Sequence, residues 1–408
     1  MQTLQRRLGV PGTAAIGVAS MLGAGIFFVW APATSAAGSA VLIALPLAAV
    51  LATLNATSTI RLAMRYPVSG GAYAYGRAEL GPVPGFIAGV LFVVGKTASV
   101  AAIGLIAGAA LWPGGERIVG IGLVVVLAAI NATGVRTTAA VSAAAAGIVI
   151  VALLAVLASG IASAGPSPVA PEWQPTGGPS GLLAATALIF FAFAGYARIA
   201  TLGEEVRDPQ RTLPRAAILS VVLVFVLSAV TLVVLIAVLG ADRLAASETP
   251  LVELAGDAWA PVARFAVAVA CIGSMTGVLA GLSRTVLAMS RDGELPGPLA
   301  RVSARAGTPW IAEALVALVA IAGVLLLDPA RVVGVSACAV LGYYAIAHLS
   351  ALRAGPSLGL IRVIPVAGLL GCLVVALAAP LPAVMGVAAV VLLAVGLRAL
   401  VRRGSSVG

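Results

Sequence analysis

Charge is the first thing this sequence lacks. Of its 408 residues only 9% are Asp, Glu, Lys or Arg, against about 25% in an average soluble domain. With 61% of the chain apolar, a water-soluble fold would have too little polar surface to stay dispersed. Histidine occurs once, lysine once and cysteine three times. Cys271, Cys338 and Cys372 lie singly inside apolar runs, which excludes a disulfide framework or metal-ligand spacing. There is no H-E-x-x-H, no Walker A loop, no pair of intramembrane aspartates and no Ser/His pair in register. Those absences argue against a membrane-embedded enzyme and an ATP-driven pump. No catalytic residue, cofactor or metal is expected. Apolar runs are continuous rather than alternating, which excludes a β-barrel. They carry neither a polar stripe nor a ring of charge, which disfavours a channel.

What is there is a series of long apolar stretches. They fall near residues 12–36, 40–63, 83–111, 117–134, 138–162, 181–201, 214–240, 261–289, 309–327, 332–352, 362–379 and 382–400. Each approaches or exceeds the roughly 20 residues that one helical crossing of a bilayer needs. The expectation is an all-α polytopic membrane protein with 12 transmembrane helices. The net charge of +10 does not form a stripe, so no nucleic-acid partner is expected. With the amino terminus placed in the cytoplasm, eighteen arginines gather on the inside face, from Arg6 and Arg7 through Arg402 and Arg403. Only Arg117, Arg243, Arg264 and Arg331 fall outside. This positive-inside bias predicts both termini in the cytoplasm and a multi-pass protein of the cell membrane.

The Pro/Gly-rich linker 164–180 divides the chain. Before it lies a first five-helix unit, 1–163, and after it a second, 181–355; residues 356–408 supply helices 11 and 12 and a tail. The opening helix of each unit carries a glycine interruption. In the first it is Ser20-Met21-Leu22-Gly23-Ala24-Gly25-Ile26-Phe27, in the second Phe190-Phe191-Ala192-Phe193-Ala194-Gly195-Tyr196. Glycine within a helix costs about 1 kcal/mol relative to alanine. Unwinding there frees peptide groups that lipid cannot satisfy, so the breaks must face protein, water or a ligand. Interruptions at matching places in two halves point to a transporter site near the bilayer midplane. Freed N–H groups suit a carboxylate and freed carbonyls an ammonium.

Four stretches in order resemble the amino acid–polyamine–organocation (APC) transporter superfamily. They are Gly23-Ala24-Gly25-Ile26-Phe27; Tyr66-Pro67-Val68-Ser69-Gly70-Gly71-Ala72-Tyr73 with Leu80-Gly81-Pro82; Phe191 to Tyr196 with Glu204-Glu205-Val206-Arg207-Asp208-Pro209; and Arg291-Asp292-Gly293-Glu294-Leu295-Pro296 with Thr308-Pro309. The resemblance implies a LeuT-type fold, a 5+5 inverted repeat plus two C-terminal helices, with helices 1 and 6 unwound at mid-membrane. It also implies alternating access with an amino acid substrate. Its carboxylate would meet the N–H groups of Ala24 and Gly25, beside Gly23. Its amino group would meet carbonyls of Met21, Phe191, Ala192 and Gly195, with Tyr196 as an aromatic gate. Two departures stand out. The span-five stretch 142–151, where many members carry a lysine, has no ionisable residue, and Ala197 replaces an acidic residue after the span-six aromatic.

Lys96 is the sole lysine and lies about fourteen residues into span three. A charge at that depth is expensive and marks a functional position by default. It is a candidate to replace the missing span-five lysine, as a fixed charge or a proton-coupling group; the alternative is an ammonium bonded to helix carbonyls for stability. Arg198 is a candidate gating residue or a structural partner for Glu204, Glu205 or Asp208. His348 reads as a satisfied core histidine rather than a proton carrier, and Glu313 as interfacial. Ser274 and Thr276 offer oxygens for sodium without an acidic partner. With no carboxylate placed to neutralise a second amine, proton-coupled uptake of small neutral or apolar amino acids is expected. An amino acid/amine exchanger and a polyamine transporter are the alternatives.

Overall fold

The computed structural model describes residues 8–66, 70–134, 139–164, 173–200, 202, 206–304, 306–354 and 360–404. Arg6, Arg7, Arg136, Glu204, Glu205, Arg305 and residues 165–172 of the 164–180 linker lie outside the described residues. Among those described, the chain is helical, with two isolated bridges (Leu8 with Val206, Gly38 with Pro175) in place of any strand.

The first apolar run forms three pieces, α1 (Val10–Met21), α2 (Gly25–Phe28) and α3 (Trp30–Ala37). After α4 (Val41–Arg65) a short α5 (Ala72–Glu79) leads into α6 (Pro82–Leu111), α7 (Glu116–Ala132) and α8 (Ala139–Ser163). The sixth apolar run is α9 (Gly178–Phe193), a 3₁₀ turn (Ala194–Tyr196) and α10 (Ala197–Ala200). The remainder comprises α11 (Pro209–Ala246), α12 (Pro250–Arg291), a 3₁₀ turn (Gly297–Ala300), α13 (Trp310–Leu326), α14 (Pro329–Arg353), α15 (Leu360–Leu377) and α16 (Leu381–Gly404). Eight described segments are long and apolar enough to cross a membrane: α4, α6, α8, α9 through α10, α11, α12, α14 and α16. Shorter apolar helices are α1, α13 and the Arg362–Leu377 part of α15.

Proline occupies the first turn of α1, α6, α9, α11, α12 and α14, where its missing N–H costs nothing. At 38 and 42 residues, α11 and α12 would be about 57 and 63 Å long if straight, far beyond a bilayer core. Gly240 (φ 77°) and Gly256 (φ 63°) break them. The segments on the far side of these glycines, 241–246 and 250–255, are short helices on the connection between α11 and α12.

The most enclosed helices are α6 and α14, which pack on each other along their length. Small residues let helices close up, as in membranes generally: a Cβ on Gly104 of α6 would sit 3.2 Å from the Gly120 backbone of α7. Large side chains fill the centre, including Trp30, Phe190, Phe193, Tyr196 and Tyr344. Leu326, Leu377, Leu392, Leu393 and Val151 stand outward, an apolar exterior that suits lipid and not water.

One end of the bundle is bound by charge. Glu294, in the loop after α12, is fully shielded and meets Arg398 Nε at 2.6 Å, Arg77 Nη1 at 2.7 Å and Arg402 Nη2 at 2.9 Å. Burial alone would raise its carboxyl; the Arg398 hydrogen bond and the charges of Arg398, Arg402 and Arg77 outweigh it and hold the group below the ordinary carboxylate range. Next to it Tyr73 donates to Asp292 at 2.6 Å, and burial followed by that bond pushes the phenol up. The cluster thus ties α5, the α12 loop and α16 together.

Candidate functional site

Both glycine interruptions are real departures from α-helix. The Leu22 N–H closes the last turn of α1 on Val18 at 2.7 Å, and Leu22 itself (φ −74°, ψ 47°) leaves the helix. The chain resumes at Gly25; Val29 keeps helical dihedrals (φ −63°, ψ −18°), so α2 and α3 run nearly continuously from 25 to 37. The leading N–H groups of such a start have no partner inside the helix. In the sixth run the α-helix stops at Phe193 and tightens to a 3₁₀ turn. Its carbonyls are partly used: Phe191 accepts from the Ala194 N–H and Gly195 from the Ala197 N–H, which leaves each a second lone pair.

The two breaks touch. A Cβ on Gly25 would lie 2.6 Å from Ala192 Cα, and one on Gly195 would lie 2.2 Å from the Ser20 carbonyl oxygen and 2.6 Å from Met21 N. Both distances are shorter than carbon and its neighbours tolerate, so only glycine permits the approach. Gly23 faces α12, where a Cβ would meet Ser274 Oγ at 2.5 Å. The structure therefore brings together Met21, Gly25, Ala192 and Gly195 with Ser20, and sets Gly23 against Ser274. Ala24 is buried; Phe191 is half-buried. Thr276 spends its hydroxyl on the Ile272 carbonyl at 2.7 Å.

Lys96 reaches this junction from α6. The residue is 8% exposed, and its ammonium donates to the Ala194 carbonyl at 3.4 Å. No ion pair to it occurs among the described residues. The Ala194 carbonyl is a contact of the junction that the sequence does not reveal, since a backbone carbonyl leaves no signature in residue identity. Tyr196 is buried with its ring 5.3 Å from that of Tyr344 on α14. Arg198 lies half-buried in α10; Glu204 and Glu205, offered as its partners, are outside the described residues.

Glu313, read from the sequence as interfacial, is 4% exposed. Its Oε1 accepts from Asn131 Nδ2 at 2.8 Å and Ser283 Oγ at 3.3 Å, so it braces α7, α12 and α13 away from the breaks. A surface concavity of about 520 Å³ lies elsewhere, lined by Glu248, Glu253, Asp257 and Arg264; Arg243 pairs with Glu253 there at 2.7 Å.

Comparison with known proteins adds the family context. Residues 8–395 match the family model described as amino acid permease. An uncharacterized transporter of Mycobacterium tuberculosis is 46% identical over 408 residues, covering 98% of this chain and 93% of its own. The branched-chain amino acid permease BcaP of Bacillus subtilis is 27% identical, covering 76% of this chain and 72% of its own. Cationic amino acid transporter 4 (vacuolar) of Arabidopsis thaliana is 27% identical over 80% of this chain and 60% of its own.

Proposed function

Because this chain belongs to the amino acid permease family and is a multi-pass membrane transporter rather than an enzyme, we propose that it takes up small neutral or apolar amino acids by proton-coupled alternating access. In this reading it crosses the cell membrane twelve times with both termini in the cytoplasm. Residues 1–163 and 181–355 form two five-helix units of inverted topology, each opening on its interrupted helix, joined by 164–180 and followed by 356–408. The close approach of the two breaks supports the pairing.

The observation that carries the proposal is the junction itself: two helices open against each other, with a buried cation donating to the Ala194 carbonyl of the second. The substrate carboxylate would take the N–H groups of Ala24 and Gly25, where the α2–α3 dipole favours negative charge. The ammonium would take the remaining lone pairs of the Met21, Phe191, Ala192 and Gly195 carbonyls, with Gly23 leaving room for the bend. Such backbone recognition reads the headgroup and is indifferent to the side chain. Tyr196 and Arg198 lie on the segment that follows the second break and would move with it as gates. Lys96, anchored to Ala194, would sense the state of that break and exchange a proton as the cycle proceeds.

Lys96 also bears on specificity. A positive charge beside the junction repels a second cation, which favours an apolar side chain over a lysine- or arginine-like one. The name of the Bacillus relative agrees with this preference, whereas that of the Arabidopsis relative favours a cationic substrate. Uptake into proteoliposomes with an alkaline interior decides: accumulation of labelled leucine or alanine that collapses with the pH gradient is expected. Accumulation of arginine alone, indifferent to the gradient, would overturn the proposal.

A further inference from the structure

Beside the second break lies a polar cluster that the transport reading leaves unused. Asn55 of α4 is fully buried; its Oδ1 accepts from His348 Nε2 of α14 at 2.7 Å and from Cys372 Sγ of α15 at 3.2 Å. An amide oxygen cannot donate, so His348 carries its proton on Nε2. The imidazole packs against the α15 backbone at Gly368, where a Cβ would lie 2.3 Å from Nε2. Two donors from two helices thus fix the carbonyl end of Asn55.

Its other end is not satisfied. Asn55 Nδ2 and the hydroxyls of Tyr196 and Tyr344 are all buried without a hydrogen bond. Geometry places them in one cluster: the Tyr196 ring is 5.3 Å from that of Tyr344, which precedes His348 by one turn on α14, and the 3₁₀ turn that carries Tyr196 packs on α4. A buried polar group left unpaired costs about 1–3 kcal/mol, so these three groups gain by bonding to one another. Tyr196 directly follows Gly195 and moves with the second break.

We infer that Asn55, anchored by His348 and Cys372, is the positioning residue for Tyr196. Its amide hydrogen-bonds the Tyr196 hydroxyl in one state of the transport cycle and releases it in the other. The inference rests on the transport reading above. It makes His348 an anchor in its neutral form, not a carrier of the coupled proton.

A double-mutant cycle in proteoliposomes tests it, using Asn55→Leu, Tyr196→Phe and the two together, with leucine uptake and leucine binding both measured. Each single variant should slow turnover about 10-fold while binding changes less than about 3-fold, and the double variant should be no slower than the worse single one, the non-additivity expected of bonded neighbours. Independent effects that multiply to about 100-fold would overturn the assignment. So would full turnover in both single variants. If Asn55→Leu does not yield a monodisperse protein, Asn55→Ser takes its place under the same criterion. His348→Gln, which keeps a donor for Asn55, should retain turnover and the wild-type pH profile; a flattened profile would make His348 a proton carrier and contradict the inference. A wild-type protein that moves no amino acid would defeat the transport reading itself, a result distinct from any of these.

Discussion

Lys96 and Ala194 are joined across 98 residues of sequence by a single hydrogen bond, from the ammonium to the backbone carbonyl at 3.4 Å. An ammonium has three donors, and this bond uses one. In the proposed cycle the other two would serve water, substrate or a proton acceptor. In that reading the bond would link the protonation of Lys96 to the shape of the second break.

Replacing Lys96 with Gln separates function from structure. Burying a charge against a single neutral carbonyl is not a stabilising arrangement, so Lys96→Gln should melt at the same temperature as wild type or higher. Uptake should nonetheless fall at least about 10-fold and lose its dependence on pH, a change of about 1.4 kcal/mol or more in the barrier. Thermal denaturation in detergent and uptake across pH 5.5–8.5 read the two effects. A variant that loses stability yet transports with the wild-type pH profile would make Lys96 a structural residue.

The glycines at the junction should not be interchangeable with those elsewhere. Gly195→Ala places a methyl group on the Ser20 carbonyl, and Gly25→Ala places one on Ala192 Cα. Backbone cannot swing aside as a side chain can, so each should destabilise by about 1–3 kcal/mol and abolish substrate binding. Gly277→Ala and Gly281→Ala in α12 meet nothing within 4 Å. They should bind normally and gain up to about 1 kcal/mol from helix propensity. Substrate-induced thermal shifts on the four variants provide the comparison.

At the charged end, Glu294→Gln removes the one carboxylate that three arginines share, leaving Arg398, only 10% exposed, without its ion pair. A loss of about 3 kcal/mol is expected. The sign of the pH effect follows from the depressed carboxyl: its contribution is complete above the unfolded value of about 4.3 and is lost as pH falls through the lower folded value. Melting curves of wild type between pH 3 and 6 should therefore fall more steeply with acid than those of Glu294→Gln. Parallel curves would show that the cluster does not hold α16 in place.

How much of this was legible in the residues depends on distance along the chain. The break at Gly23–Gly25 and the depth of Lys96 are local features, and local composition revealed both. Apolar runs at 214–240 and 261–289 located the centres of α11 and α12 but not their ends. The run 214–240 does end at the Gly240 break; the short helical segments beyond Gly240 and before Gly256, reaching Ala246 and starting at Pro250, have no apolar signal to mark them. The burial of Glu313 was not legible because its partner Asn131 is 182 residues away, and nothing in the local pattern says that α7 faces it. Asn55 and His348, 293 residues apart, were invisible as a pair for the same reason. The motif Arg291-Asp292-Gly293-Glu294 was read as a family signature, while its grip on Arg398 emerges only in three dimensions.

The central claim is that peptide groups at two opened helices hold both ends of an amino acid headgroup. Competition against bound labelled leucine in the purified protein tests it most directly, using leucine, leucinamide, which lacks the carboxylate, and 4-methylpentanoate, which lacks the amine. The account predicts that unlabelled leucine displaces the label and that each analogue binds at least about 100-fold more weakly, having left one set of buried groups unpaired. Displacement by either analogue at concentrations similar to leucine would contradict it.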